Sequence, residues 1–252
     1  MTLSVDTTPA QARGSLPLER CFAPVASIRH VEVEELRVLL DLRTESYRIL
    51  DDSASRLWPV LIGERDACEA YAATAKEFDV DEDRWRADLA AFARRCVQEG
   101  LLEPAGSASA TVPVPAGPPR ARSGHPTMVH ALSCLLGTRR ALRRRGFRAS
   151  YESYAGIGVL PTRAPLAPAL RTFTRAENLF VPGSAPGDCL LRSLALYRFL
   201  RLIGSPAEHV IGVRRFPFHA HAWVECDGAA VLDARFHMYT PIARIGCERS
   251  AG

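Results

Sequence analysis

An α+β protein in two parts is predicted: a winged-helix-like module of three strands and three helices, a Pro-rich linker, and a second domain in which a helix beginning at a cysteine precedes three strands. Three observations predict it. Residues 22–103 pass from runs with strand character to runs with helical period; residues 104–124 abandon both periods for Pro, Gly, Ala and Ser; and residues 189–235 return to one apolar helix followed by alternating segments. With 252 residues and 47% hydrophobic content, the chain is long enough to bury two cores.

In chain order, residues 1–21 are polar and without period and read as a flexible arm. Val25–Val33, Leu36–Leu42 and Ser46–Asp51 read as strands, the last two forming a hairpin across Thr44-Glu45. Ser53 offers an N-cap for a first helix that carries Pro59 and stops at Gly63. A second helix runs from Asp66 to Phe78, and a third from about Asp83 to Glu99, with Trp85, Leu89, Phe92 and Cys96 on one face. Core packing is the default reading of that stripe. Asp81, Glu82, Asp83 and Asp88 interrupt its arginines, so no phosphate-binding stripe forms and nucleic acid is disfavoured as a partner.

The formal charge of +4 is carried by arginine, Lys76 being the only lysine, which argues against lysine-based covalent chemistry. Seven cysteines without a C-x-x-C pair leave at least one free thiol in a monomer and suit a reducing cytoplasm. No run approaches the roughly 18 apolar residues of a membrane span, and the first twenty residues lack a signal-peptide core. A soluble cytoplasmic protein without an integral membrane segment is expected.

Beyond the linker, Met128–Leu136 is apolar, and Arg139–Arg145 is a dense basic run on a helix whose default reading is a solvated face. Residues 149–187 hold five prolines and read as loop, with one helix near Leu166–Glu177. Pro186-Gly187-Asp188 then supplies a turn and a cap for the helix that Cys189 begins and Gly204 ends. A cysteine in that first turn faces unpaired backbone N–H groups and the positive end of the helix dipole, which favour the reactive thiolate. Most helical cysteines are small core residues, so the thiol needs partners.

Those partners lie on Glu208–Arg214, His219–Cys226 and Ala229–Arg235, three strand candidates punctuated by Pro217 and Asp227-Gly228. A three-residue loop Cys226-Asp227-Gly228 sets His221 opposite Asp233 on one face, about 5 Å apart at Cβ, whereas a two-residue Asp-Gly turn sets Asp233 opposite Ala222 on the other face. A helix-borne thiol, a strand-borne imidazole and a neighbouring carboxylate are the parts of nucleophilic acyl transfer. The backbone N–H of Cys189 is the first oxyanion donor; a second cannot be named from the sequence.

The order Cys189, His221, Asp233, with Cys189 at a helix start and His221-Ala222-Trp223-Val224-Glu225 on a strand, resembles the transglutaminase-like branch of papain-like cysteine enzymes. More narrowly, Cys189-Leu190-Leu191-Arg192-Ser193, then Gly204, then Ile211-Gly212-Val213, then Phe218-His219-Ala220-His221-Ala222-Trp223-Val224-Glu225 looks like the leader peptidase, or B protein, of lasso peptide biosynthesis. That resemblance covers about residues 125–245. It implies Cys189 as nucleophile, His221 as general base and acid, and Asp233 as the orienting carboxylate. It also implies a precursor peptide as substrate and an ATP-dependent cyclase as the receiver of the core. Residues 22–103 resemble the precursor-recognition element of peptide-modifying systems, by element order and by Tyr47-Arg48-Ile49-Leu50 running into Asp51-Asp52-Ser53. What this implies is a leader added as a strand beside residues 46–51 and over the third helix, with Tyr47, Arg48, Ile49, Leu50, Trp85 and Leu89 as its contacts.

The thiol mechanism calls for no cofactor and no metal. A zinc site from Cys226, His219, His221 and His237 ranks below the triad because no paired Cys/His motif accompanies it. Two further readings keep the fold and change the function: a peptide-binding adaptor that has lost activity, and a transglutaminase or amide-forming enzyme in which an amine resolves the same thioester.

Overall fold

The computed structural model describes residues 22–106, 126–159, 164–180 and 189–246. The expected arm, most of the linker and the capping Asp188 lie outside the described residues. The fold is α+β. By its contacts the chain forms two compact units, one containing residues 56–106 with Phe22 and Ala23, the other containing 24–55 together with the described residues from 126 onward.

In the first unit, β1 (Phe22–Pro24) pairs with β5 (Leu102–Pro104), a two-stranded sheet absent from the sequence reading. Val25, expected to open a strand, instead accepts the Ile28 N–H in a turn at 2.7 Å. The first helix, α1 (Asp52–Leu61), is capped by Asp51, whose carboxylate accepts the Ala54 N–H at 2.8 Å; Ser53 lies two residues too far in for the role expected of it. Asp66 and Asp81 cap α2 (Ala67–Phe78) and α3 (Glu82–Gln98) in the same way. The α3 stripe is core: Trp85, Leu89, Phe92 and Cys96 are all buried, with Tyr71 against the Trp85 ring.

The second unit holds two sheets. In the first, β2 (Ile28–Val33), β3 (Leu36–Asp41) and β4 (Ser46–Ile49) pair antiparallel in the order β2-β3-β4, so β4 is an edge. Its register sets Tyr47 beside Leu40 and Ile49 beside Val38 on one face. That face is buried in the same cluster as the later helices, through Val33, Val38, Leu40 and Leu42.

Around it stand α4 (Met128–Ala155), α5 (Leu166–Phe180) and α6 (Cys189–Leu202). The basic run Arg139–Arg145 lies on α4, with all five arginines exposed. The helix continues to Ala155, past the point where the sequence reading begins a loop, because a break at Gly146 (φ 74°, ψ 176°) restarts it instead of ending it. Such a φ favours glycine. Leu194, Ala195, Leu196, Tyr197, Phe199 and Leu200 are all buried, so α6 is enclosed on most of its circumference, as a central helix must be. It packs on α4, α5 and the second sheet, in which β6 (Ala207–Arg214), β7 (His219–Cys226), β8 (Ala229–Val231) and β9 (Thr240–Ile245) run in the order β8-β7-β6-β9. Strand β9, unforeseen in the sequence, returns beside β6. Among the described residues no helix is long and apolar enough to cross a membrane.

Candidate active site

Cys189 is the first residue of α6 and is half-buried. One turn on, the Ser193 hydroxyl donates to the Cys189 carbonyl at 2.6 Å. Having one proton to give, Ser193 accepts from Nε2 of His209 at 2.9 Å, which assigns that ring the Nε2–H tautomer. His209 is wholly buried on β6, and burial pushes its pKa down to about 3, so it stays neutral. A neutral histidine under the sheet thus ties the first turn of the cysteine helix to β6.

His221 sits on β7, nearly buried, with Nε2 2.5 Å from the Asp233 carboxylate. The route by which the chain makes this pair differs from the one expected. Cys226 pairs with Ala229 across Asp227-Gly228, both at positive φ (53° and 76°), so the turn has two residues and not three. Continued regularly, that register would turn Asp233 to the far face, as the sequence argument states. The strand instead ends at Val231, and Leu232 adopts a left-handed φ of 58° that re-aims the next side chain. Asp233 then reaches His221 with one oxygen and accepts the Arg235 N–H at 2.9 Å with the other. Burial opposes its ionisation, but the bond from His221, the Arg235 N–H and the charges of both residues outweigh it, holding the carboxyl below its ordinary range.

The helix and this loop are joined. Arg192, one turn into α6, donates to the Leu232 carbonyl at 3.3 Å and pairs with Glu177 of α5 at 2.6 Å. That bond ties the helix that carries Cys189 to the loop that carries Asp233, and α6 packs on the strand that carries His221.

The rest of the His-Ala-Trp-Val-Glu run supports the imidazole. Trp223 stacks against the His221 ring with centroids 6.2 Å apart, and its indole N–H donates to Glu225 at 2.8 Å; Arg244 holds Glu225 in turn at 2.7 Å. Gly212, opposite His221, makes room, since a Cβ there would come within 2.6 Å of the Trp223 ring. Tyr239 packs on His221 at 5.1 Å and bonds His219, which is exposed, while the Asp233 carboxylate bonds His221. Cys226 belongs to the alternate face, buried in the core, so it does not join the histidines. Among the described residues, no group of three or more His, Cys, Asp or Glu is placed to hold a metal.

The residues expected to contact a leader fall in different settings. Tyr47 is half-buried, edge-on to Phe218 at 5.6 Å; burial, and then electrostatic repulsion from Cys189, push its phenol up to about 12. Arg48 and Ile49 are exposed on the edge strand. Leu50, Trp85 and Leu89 are core side chains, 6%, 5% and 2% exposed, and as they stand they offer a peptide no surface. Tyr47 near the cysteine, the Leu232 conformation, the Arg192 tie and the Ser193–His209 support all escape sequence reading. Only Arg192 and Ser193 carried any signal, by standing one turn after the cysteine.

Residues 131–244 match the profile of the transglutaminase-like superfamily, and residues 37–102 match that of coenzyme PQQ synthesis protein D (PqqD). Over 47 residues the chain is 49% identical to the microcin J25-processing protein McjB of Escherichia coli, a stretch that is 19% of this chain and 23% of that relative. Two solved structures are similar to parts of it: TbiB1 in complex with the TbiA(beta) leader peptide, with 30% identity over 32% of this chain and 93% of that one at a TM-score of 0.28; and lasso peptide synthetase B1 complexed with the leader peptide, with 23% identity over 33% and 98% at a TM-score of 0.29. The chain joins a PqqD-like segment to a transglutaminase-like segment, the combination that the resemblance to a lasso B protein implies.

Proposed function

We propose that this protein is a cysteine endopeptidase that binds the leader of a ribosomally made lasso precursor, cuts it off, and releases the core peptide to an ATP-dependent cyclase for macrolactam closure. The observation that carries the reading is the His221–Asp233 hydrogen bond. With Nε2–H committed to the carboxylate, Nδ1 keeps its lone pair, on the strand against which the Cys189 helix packs.

The steps follow. Nδ1 takes the thiol proton, and the Cys189 sulfur attacks the carbonyl carbon of the scissile amide. The backbone N–H groups of the helix start stabilise the oxyanion. Collapse breaks the C–N bond, with the imidazolium returning the proton to the leaving amine. Water, deprotonated by Nδ1, then opens the thioester and restores the thiol. Asp233 keeps the ring oriented and balances its charge.

On the recognition side, β4 is a sheet edge, able to accept an added strand by its main chain. Arg48 and Ile49 lie on it with exposed side chains, open to an added strand. The relative that processes microcin J25 supports the same substrate class. Mixing the protein with a candidate precursor and following mass tests the proposal: two fragments summing to precursor plus water are expected, and none with Cys189→Ala. Unchanged cleavage by that variant refutes the nucleophile.

A further inference from the structure

The strand read as the leader's docking edge is built into the peptidase part itself. Three connections fix it. Glu45, in the β3–β4 turn, accepts the Phe147 N–H at 3.2 Å, a donor freed by the α4 break at Gly146; a carboxylate there also meets the positive end of the restarted helix. Tyr47 packs its ring on Phe218, one residue before β7 begins and three before His221. In the turn between β2 and β3, the Glu34 carbonyl accepts from Arg215, which follows β6. Beneath them, Val38 and Leu40 share one buried cluster with Leu194, Leu196 and Phe199 of the cysteine helix. Tyr47 and Cys189 both pack against that same cluster.

We infer that β4 and Cys189 form a fixed ruler: a peptide strand paired with β4 delivers to the thiol only the bond lying a set number of residues beyond the paired segment. The inference rests on the peptidase reading above. Its physical basis is that an extended chain advances about 3.3 Å per residue, while a misplacement of about 1 Å at the reacting carbonyl can cost a hundred-fold in rate. A rigid mount makes that sensitivity visible. A strand held on a mobile module would hide it, because the module could move to compensate.

The experiment is a series of precursors with one or two residues inserted or removed between the leader segment that binds and the bond that is cut, given to the full-length protein. Either cleavage falls by roughly ten-fold or more per residue, or the cut moves along the peptide to keep the residue count; both support the ruler. Cutting at the original bond at the original rate throughout the series overturns it. Affinity for the isolated leader, read by anisotropy of a labelled peptide, separates the two claims. If the leader does not bind or the unaltered precursor is not cut, the functional reading fails and the ruler with it; binding and cutting with a flat spacing profile refute the ruler alone. A Glu45→Ala/Phe218→Ala double variant checks the mount: leader affinity is expected to stay within about two-fold while tolerance to spacing broadens, and an unbroadened profile counts against it.

Discussion

Leu232 decides where Asp233 points, and it does so by holding a conformation that suits few side chains. A left-handed φ on a leucine costs on the order of 1–3 kcal/mol, which the surrounding contacts must offset. Here the Arg192 bond to the Leu232 carbonyl and the Arg235 N–H bond to Asp233 bracket the strained residue on both sides. The result is a carboxylate whose two oxygens are both engaged and whose pKa lies below the ordinary range, so it remains ionised wherever the enzyme would work. In the proposed mechanism its task is to keep the Nε2 proton on its own side of the ring. Asp233→Asn can still bond the ring but allows the opposite tautomer, with the proton on Nδ1, where the thiol needs a base. Precursor cleavage is therefore expected to fall roughly a hundred-fold, while leader affinity is unchanged. Progress curves by mass spectrometry check the first and anisotropy the second; wild-type cleavage by this variant removes Asp233 from the mechanism.

Ser193 and His209 anchor the first turn of α6, where Cys189 stands, to β6, and that anchor carries a pH signature. Folded, His209 is pushed down to about 3 by burial; unfolded, it protonates near its ordinary 6.5. Above pH 6.5 neither state is charged and the group contributes no slope. As pH falls from 6.5 toward 3, the unfolded chain takes up a proton that the folded chain refuses, so stability drops by about 1.4 kcal/mol per pH unit. The groups that face the ring, Ser193, Tyr151 and Tyr197, are uncharged in that window. Asp233 does not confuse the reading, since its own contribution is lost only below its ordinary 3.8. Denaturant unfolding between pH 7 and 4.5 is expected to show a shallower pH slope for His209→Gln than for the parent, and parallel slopes refute the assignment. At this scale much of the fold is legible beforehand. Strand β7 and the start of α6 follow from alternation and from Gly/Pro punctuation. Other elements do so less well: β1 and β5 are three residues long, too short to show a period; β8 keeps only Ala229–Val231 of the strand expected over Ala229–Arg235; and α4 hides its length behind Gly146. The approach of His221 and Asp233 is anticipated through the wrong turn, because nothing about a leucine announces φ 58°.

For the whole molecule, the consequential feature is that residues 24–55 group with the chain beyond 126. Sequence reading places a boundary near 103 because composition changes there, whereas grouping by contact follows which core a strand covers. The inward face of β2–β4 is apolar under either arrangement, so the pattern alone cannot say what covers it. Val33, Val38, Leu40 and Leu42 are each buried against the helical core, and uncovering side chains of this size costs about 1.5–3 kcal/mol apiece. A fragment starting near residue 125 would expose the other side of that contact, including parts of α4 and α6 around Cys189. It is therefore expected to be insoluble or to unfold at markedly lower denaturant than the full chain. A chain carrying an engineered protease site between residues 107 and 125, nicked after folding, behaves differently. Its two pieces are expected to co-elute in gel filtration and to keep the Cys189 thiol as reactive toward iodoacetamide as before, since the cut leaves β2–β4 in place. Separation of the nicked pieces, with the C-terminal piece still folded and equally reactive, would show that the strands and the thiol-bearing core are independent bodies.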